Sequence, residues 1–168
     1  MAKNEQIDCS FTNDNKWFRY RAAAIIIEND CVLLASNETV DYFYSVGGGV
    51  HVGETAEQAV LRETFEETGV EYEIDRLVFI HENFFRGSIG FLNELACHEI
   101  ALYFLMKSRG TQNIDGKSIC HDGKEFMNWI PINELKKLKA YPAFFAKRLI
   151  NLPKSVEHII TIEQTDIN

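Results

Sequence analysis

The sequence predicts a single α/β domain in which helices cover both faces of a mixed β-sheet. Three observations indicate this class. Short apolar runs typical of strands recur along the chain, helical patterns lie among them, and the two do not alternate as strictly as in a fully parallel sheet. The chain has 168 residues, of which 46% are hydrophobic, so it is long enough to bury one core.

The remaining predictions of secondary structure follow from local composition. Residues 1–16 are polar and are expected to form a loose N-terminal segment ahead of one domain over residues 17–168. Strands are expected where aliphatic and aromatic residues concentrate, at residues 18–28, 31–35, 42–46, 71–85, 96–107, 125–130 and 159–162. Pro131 fits the first turn of a short helix over residues 132–138, and a last helix is expected over residues 143–152.

The helix predicted over residues 56–68 carries the most informative pattern. Thr55 is expected to cap its N terminus with Gln58 as the reciprocal partner, and Gly69 to end it. Three glutamates at i, i+3 and i+4 share one face of this helix: Glu63, Glu66 and Glu67. Like charges at this spacing cost roughly 0.2–0.5 kcal/mol when exposed, and a bound divalent cation removes the repulsion. The opposite face is expected to pack through Leu61, Thr64, Phe65 and Thr68.

A glycine-rich loop over residues 47–53 precedes this helix. Glycine lets the backbone pass close to a ligand because no Cβ atom intervenes. Gly48 and Gly49 are therefore predicted to contact a substrate. His51 lies inside the loop, where a surface histidine is a more common outcome than a phosphate contact.

This stretch resembles the signature of the Nudix hydrolases. Eight specified positions of that signature are occupied here at the family's spacing. They are Gly48, Glu54, Arg62, Glu63, Glu66, Glu67, Gly69 and Val70. Thr64 stands where the family usually has Ile, Leu or Val, and Val46 stands where a proline often precedes the glycines. Eight positions at fixed spacing are far more specific than a lone glycine motif. The structural alternative is a solvated acidic helix face beside a flexible loop.

The resemblance implies an α/β/α sandwich and a metal-dependent hydrolase of phosphorus-containing acid anhydrides. Such an enzyme cleaves the pyrophosphate bond of a nucleoside diphosphate linked to another moiety, with Mg²⁺ or Mn²⁺ as cofactor. By the same resemblance, Glu63, Glu66 and Glu67 are the expected metal ligands. The expected catalytic residues are Glu66 and Glu67, together with Arg62 and Glu54, which orient the site.

Three further residues are weighed for the site. Glu99 is a candidate for an additional metal ligand or the general base, although an ordinary surface carboxylate is an equally good interpretation, and Glu94 is a weaker rival. Arg86, in the loop after the strand at residues 71–85, is a candidate for gripping a phosphate of the substrate. The identity of the general base stays open.

Composition limits the partners. The formal net charge of -8 makes the chain a poor non-specific binder of nucleic acid or anionic membrane. The longest aliphatic run, residues 22–27, is far shorter than the roughly 20 residues of a transmembrane helix. The N terminus shows no signal-peptide core, and the four cysteines form no C-x-x-C pair, so a cytoplasmic location is expected. The expected partner is a small nucleotide derivative, and a homodimer is one expected state by analogy with the family.

Two other functions compete with the hydrolase. One is a non-catalytic Nudix module that senses a nucleotide, although such modules often lose motif glutamates that are present here. The other is an isomerase of isoprenoid diphosphates, which needs a cysteine and a glutamate over a carbon skeleton; Cys31 or Cys97 would have to approach the helix in space. The sequence does not distinguish ADP-ribose, an oxidised nucleoside triphosphate, a dinucleoside polyphosphate and a nucleotide sugar as substrates.

Overall fold

The central layer consists of two β-sheets in the computed structural model, which describes residues 6–115, 119–120 and 123–163. The first sheet contains, in spatial order, β1 (Ser10–Asn13), β2 (Lys16–Ile25), β8 (Ala96–Met106), β7 (Ile74–Arg86) and β12 (Glu157–Ile162), with β6 (Gly47–Gly49) also paired to β2. Strands β2 and β8 run parallel, as do β7 and β12, while the other pairs are antiparallel. The mixed sheet that the sequence predicts is therefore confirmed.

The second sheet places the residues that flank the glycine loop. Its spatial order is β11 (Ala140–Tyr141), β5 (Phe43–Ser45), β4 (Cys31–Asn37), β10 (Gly123–Pro131) and β9 (Ile119–Cys120), with β3 (Ile27–Glu28) also paired to β4. Only the β5–β11 pair is parallel among these. Because β5 leads directly into β6, the glycine loop passes from one sheet to the other.

Helices cover the two faces of this layer. Helix α1 (Ala56–Thr68) packs on one face against Ala22, Leu33 and Val46. A 3₁₀ helix, η2 (Ile132–Lys137), and the short helix α2 (Phe145–Arg148) cover the other face, where they pack in one cluster with Leu34 of β4. Strand β4 contributes to both apolar clusters because successive side chains point to opposite faces of a sheet. The arrangement is the predicted α/β/α sandwich.

The structure corrects several boundaries. Residues 10–13 form β1, so the prediction of a loose segment over residues 1–16 is wrong there; β1 is exposed along its length and carries no apolar alternation that would reveal it. The strand expected over residues 18–28 is divided into β2 and β3. The helix expected over residues 143–152 contains only the four residues of α2.

One short 3₁₀ helix, η1 (Gly90–Leu92), interrupts the connection between β7 and β8. None of the helices in the described part of the chain combines the length and the apolarity needed to cross a bilayer.

Candidate active site

Helix α1 begins and ends where its capping residues require. The Thr55 hydroxyl oxygen accepts a hydrogen bond from Gln58 N at 3.2 Å, and the Gln58 side chain accepts one from Thr55 N at 2.9 Å. At the other end Gly69 adopts a left-handed φ of 70° and donates its N–H to the Phe65 carbonyl. The predicted capping box and the predicted bounds of residues 56–68 are both observed.

The predicted packing face of α1 is only half correct. Thr64 and Thr68 are buried as expected, but Leu61 is 38% exposed and Phe65 is 51% exposed. Glu67 instead is buried, with an exposure of 8%. The helix is therefore rotated so that one charged residue of the acidic face points into the protein. Burial of this carboxylate is the first sign that the helix serves a purpose other than stability.

The glycine loop lies directly against the acidic face of α1. Gly47, whose φ is 129°, donates its backbone N–H to Glu67 Oε1 at 2.9 Å. A Cβ atom on Gly48 would lie 2.5 Å from the Glu63 carboxylate, so any other residue at this position would displace that carboxylate. The absence of side chains thus brings backbone and carboxylates into direct contact.

Arg62 connects the loop to the helix. Its Nε donates to Glu54 Oε1 and one terminal nitrogen donates to Glu54 Oε2, both at 2.9 Å. The same terminal nitrogen donates to the Gly49 carbonyl at 3.1 Å, and the other contacts Glu63 Oε1. Arg62 contacts Glu54 more closely than it contacts Glu66, four residues farther along the helix, which is 3.6 Å away. A bidentate arginine of this kind fixes both partners.

The carboxylates of the site have opposite electrostatic surroundings. Hydrogen bonds from Arg62 lower the pKa of Glu54 from 4.5 to about 2. Burial raises the pKa of Glu67 well above its usual value, and the negative charge of Glu125 adds to the rise. Burial also raises the pKa of Glu63, against the opposing effect of Arg62. The carboxylates of Glu63 and Glu67 therefore have too little neighbouring positive charge to offset the effect of burial.

Two residues near Glu67 were not predicted from the sequence. Arg21 of β2 is half-buried and donates to the carbonyls of Ser45 at 2.7 Å and of Gly47 at 3.0 Å, which holds the start of the glycine loop. Glu125 of β10 interacts electrostatically with Glu67 and accepts a hydrogen bond from the Tyr44 hydroxyl at 2.5 Å. The pairing of β10 with β4 brings it there, which no local pattern reveals.

Glu99 lies in the first sheet on the face opposite α1. Strand β8 pairs in register with β2, so Glu99 stands beside Arg19, whose Nε donates to Glu99 Oε2 at 2.9 Å and whose terminal nitrogen makes a second, shorter contact. Burial alone would raise the pKa of Glu99, but Arg19 and Arg21 hold it below the usual value. The carboxylate that the sequence offered as an additional ligand or base thus already has a cationic partner.

Arg86 lies away from the glycine loop. It ends β7 opposite Ala96, which in turn pairs with Lys16 at the start of β2. Gly48 pairs with Ala22, six residues farther along β2, or roughly 20 Å at 3.3 Å per residue. The structure therefore brings Gly48, Gly49, Glu54 and the α1 residues together but does not place Arg86 beside them. Glu94, with a left-handed φ of 65°, lies in the turn before β8.

Comparison with known proteins agrees with this architecture. The family model of the NUDIX domain matches residues 17–150. The chain belongs to the NUDIX family.

Relatives and solved NUDIX-like structures fit this assignment. A MutT-like protein of Streptomyces ambofaciens is 35% identical over 68 residues, which are 40% of this chain and 44% of that protein. Diphosphoinositol polyphosphate phosphohydrolase 2 of Rattus norvegicus is 36% identical over 76 residues, 43% of this chain and 42% of that protein. The chain thus matches less than half the length of these curated relatives.

Two solved structures show the same fold. The MutT protein from Bacillus halodurans superposes with a TM-score of 0.61 at 19% identity, covering 83% of this chain and 89% of that one. A UDP-X diphosphatase gives a TM-score of 0.56 at 14% identity, covering 89% and 69%. At these identities the likeness concerns the fold alone.

The carboxylates of helix α1 decide whether a metal ion fits there. Within the described ranges, no three His, Cys, Asp or Glu side chains already stand in a geometry that would hold one. However, Glu67 Oε2 is buried without a hydrogen-bond partner, and Glu66 is 59% exposed and lies 3.6 Å from Arg62. An orphaned buried carboxylate oxygen is costly unless a cation completes it. The donor set, all carboxylate oxygen, is that preferred by Mg²⁺ and Mn²⁺.

Proposed function

We propose that this NUDIX protein hydrolyses the pyrophosphate bond of a nucleoside diphosphate linked to another moiety, with Mg²⁺ or Mn²⁺ as cofactor. The observation that supports the proposal most directly is the environment of Glu67. One oxygen is held by Gly47 N–H, while the other is buried and has no hydrogen-bond partner. A buried carboxylate oxygen without a donor is costly when the group is charged, so a cation bound at this oxygen would stabilise the charged form.

Glu63, Glu66 and Glu67 would hold the cation. They lie within two turns of α1 on one face, and Glu63 and Glu67 are the two whose pKa values burial raises. When bound, the divalent cation neutralises charge on the phosphates and activates water for attack on phosphorus. Cation binding also removes the repulsion among these glutamates, so the same arrangement that destabilises the helix favours the ligand.

Glu54 and Arg62 would position the ligands. Arg62 holds Glu63 through one terminal nitrogen while both oxygens of Glu54 hold Arg62. Residues that hold a metal ligand in place typically contribute about 10- to 100-fold to metal affinity or activity. Gly48 and Gly49 would contact the phosphates through their backbone, because the Glu63 and Asp8 carboxylates occupy the space that a Cβ atom would fill.

Glu125 is the carboxylate we assign to the role of additional ligand or general base. Its charge contributes to the raised pKa of Glu67, and the Tyr44 hydroxyl orients it. Glu99, the residue predicted for this role, is engaged by Arg19 on the opposite face of the sheet. A base must lie within reach of the attacking water, and the electrostatic effect of Glu125 on Glu67 supports a place for Glu125 beside the proposed ligands.

The test is release of phosphorylated product from a panel of substrates with Mg²⁺, with Mn²⁺ and with EDTA. The panel holds ADP-ribose, an oxidised nucleoside triphosphate, a dinucleoside polyphosphate, a nucleotide sugar and a diphosphoinositol polyphosphate. Glu67→Gln should abolish turnover, whereas Glu71→Gln, which changes an exposed glutamate just beyond α1, should not.

Activity that persists in EDTA, or in Glu67→Gln, would contradict the proposal. A panel without turnover, in which a nucleotide nevertheless raises the melting temperature, would favour the nucleotide-sensing module instead. Conversion of isopentenyl diphosphate, added as a separate substrate, without release of phosphate would favour the isomerase.

A further inference from the structure

The described N-terminal residues are part of the wall of the glycine loop. Cys9 N donates to the Val50 carbonyl at 2.7 Å, and Val52 N donates to the Ile7 carbonyl at 2.8 Å. Between these two bonds Asp8 pairs with His51 as an isolated antiparallel bridge. The segment that the sequence presents as loose is therefore hydrogen-bonded along the loop that precedes α1.

Asp8 lies against the glycine backbone as well. A Cβ atom on Gly49 would stand 2.7 Å from Asp8 Oδ2, so the carboxylate occupies the space that a side chain there would fill. Gly49 is also the residue whose carbonyl accepts a hydrogen bond from Arg62. Asp8 and Arg62 thus contact the same peptide segment.

His51 lies between two carboxylates. Its Nε2 is 3.3 Å from Asp8 Oδ1, and its Nδ1 is 3.6 Å from Glu54 Oε2. The His51 side chain is 17% exposed, while that of Asp8 is 49% exposed. The ring therefore connects the N-terminal segment to Glu54.

Glu54 connects His51 to helix α1. Its Oε2 accepts from His51 N at 3.0 Å, and both of its oxygens accept from Arg62. Arg62 then holds Glu63. A continuous series of contacts runs from Asp8 through His51, Glu54 and Arg62 to a glutamate of the proposed metal site.

We propose that Asp8 and His51 are positioning residues of the active site. This inference rests on the proposed function, because the site they support is the proposed metal site. Loss of the Asp8 contact leaves the His51 ring less restricted, and loss of the ring removes its contact with Glu54 Oε2. The orientation of Glu54, and through it that of Arg62 and Glu63, is then less restricted. Since they act through two further residues, their effect is expected at or below the low end of the range for residues that hold ligands, about 10-fold.

The experiment measures Mn²⁺ affinity by electron paramagnetic resonance for wild type, Asp8→Asn, His51→Gln and the double variant. Asp14→Asn is the matched control: it is the same chemical change in an exposed residue of the same segment, with a left-handed φ of 52° that asparagine adopts readily. Melting temperature, kcat and KM are measured in parallel on the full chain.

Both single variants should weaken Mn²⁺ binding by about 3- to 10-fold. The double variant should be no weaker than the poorer single variant, because both changes interrupt one series of contacts. The kcat should recover at saturating Mn²⁺, a rescue that a general loss of structure would not show. Asp14→Asn should match wild type.

Equal Mn²⁺ affinity in wild type and in both single variants would overturn the inference, as would losses that simply add in the double variant. A panel without turnover would overturn the proposed function alone, because Mn²⁺ affinity still tests the positioning role. Failure of the wild type to bind Mn²⁺ would overturn both.

Discussion

Glu54 and Glu67 lie on two sides of one glycine loop, and their surroundings are opposite. Glu54 accepts hydrogen bonds from Arg62 and His51 N, and its pKa is lowered to about 2. Glu67 accepts one bond from Gly47 N, its second oxygen is buried without a partner, and its pKa is raised well above 4.5.

The difference shows how the site divides its tasks. The Glu54 side is complete within the protein itself, since Arg62 supplies the charge that its carboxylate needs. The Glu67 side is left incomplete, and strongly perturbed groups of this kind concentrate where a protein binds or reacts. Glu54 is thus held rigidly within the protein, whereas Glu67 Oε2 lacks the partner that a ligand would supply.

The largest effect is expected from Glu67→Gln. Turnover should fall by more than the roughly 100-fold that loss of a residue holding a ligand can cause, because a ligand itself is removed. The metal-free protein should be as stable as wild type or more so, since a buried unpaired charge is gone. Steady-state kinetics and thermal melting in EDTA measure the two quantities. A variant that loses both activity and stability would contradict the comparison.

Arg62→Lys should have the next largest effect. A lysine cannot reproduce the bidentate contact with Glu54 while also reaching the Gly49 carbonyl. Turnover should fall about 10- to 100-fold, and the free energy of unfolding by about 1–3 kcal/mol. Arg148→Lys is the control, because this arginine is 43% exposed and pairs with Glu157 away from the loop. If stability stays at the wild-type value, the Glu54 side is not the support described here.

The pH dependence of stability should separate the two glutamates. The folded pKa of Glu54 is depressed, so its contribution is present above pH 4.5 and is lost as pH falls toward about 2. The folded pKa of Glu67 is raised, so its contribution is present below pH 4.5 and is lost as pH rises through the folded value.

Melting temperatures in EDTA, compared with those of Glu54→Gln and Glu67→Gln, measure these trends. Each variant should flatten one side of the profile only, and Mg²⁺ should restore stability on the alkaline side. If both variants change the melting temperature on the same side of the pH profile, the two carboxylates do not have opposite effects on stability.

Glu99→Gln should have the smallest effect on the site. The change removes the charged partner of Arg19, so the free energy of unfolding should fall by about 1–3 kcal/mol. Mn²⁺ affinity should stay at the wild-type value if Glu125 is the additional carboxylate. Electron paramagnetic resonance and chemical denaturation measure the two effects. Weaker Mn²⁺ binding would instead support the original prediction of Glu99 as a ligand.

The parts of the site that the sequence predicts are those encoded locally. The capping residues, the glycine loop and the glutamates of α1 follow from spacing within residues 47–70, and the structure brings these residues together. The orientation of α1 was predicted incorrectly because polarity favours an exposed Glu67, whereas the site requires it buried. A local preference yields here to the demands of a functional site.

The remaining parts depend on strand pairing over long distances. Arg19 and Glu99 are 80 residues apart, and only the parallel register of β2 and β8 places them side by side. Glu125 reaches the site through the pairing of β10 with β4. Asp8 belongs to a short N-terminal segment whose contact with the glycine loop lies more than 40 residues away along the chain. Such contacts leave no periodic trace in the sequence, because they are set by topology rather than by local composition.

Substitutions at Gly48 and at Gly49 are expected to differ in whether a second mutation can suppress them. The backbone at Gly48 and Gly49 forms a layer one peptide thick, with Glu63 pressed against one residue and Asp8 against the other. A missense change at Gly49 can be suppressed by a second mutation that shortens Asp8, since the collision is then relieved. A missense change at Gly48 has no such suppressor, because shortening Glu63 removes a proposed ligand. A second-site change that relieves the collision is therefore expected at position 49 and not at position 48.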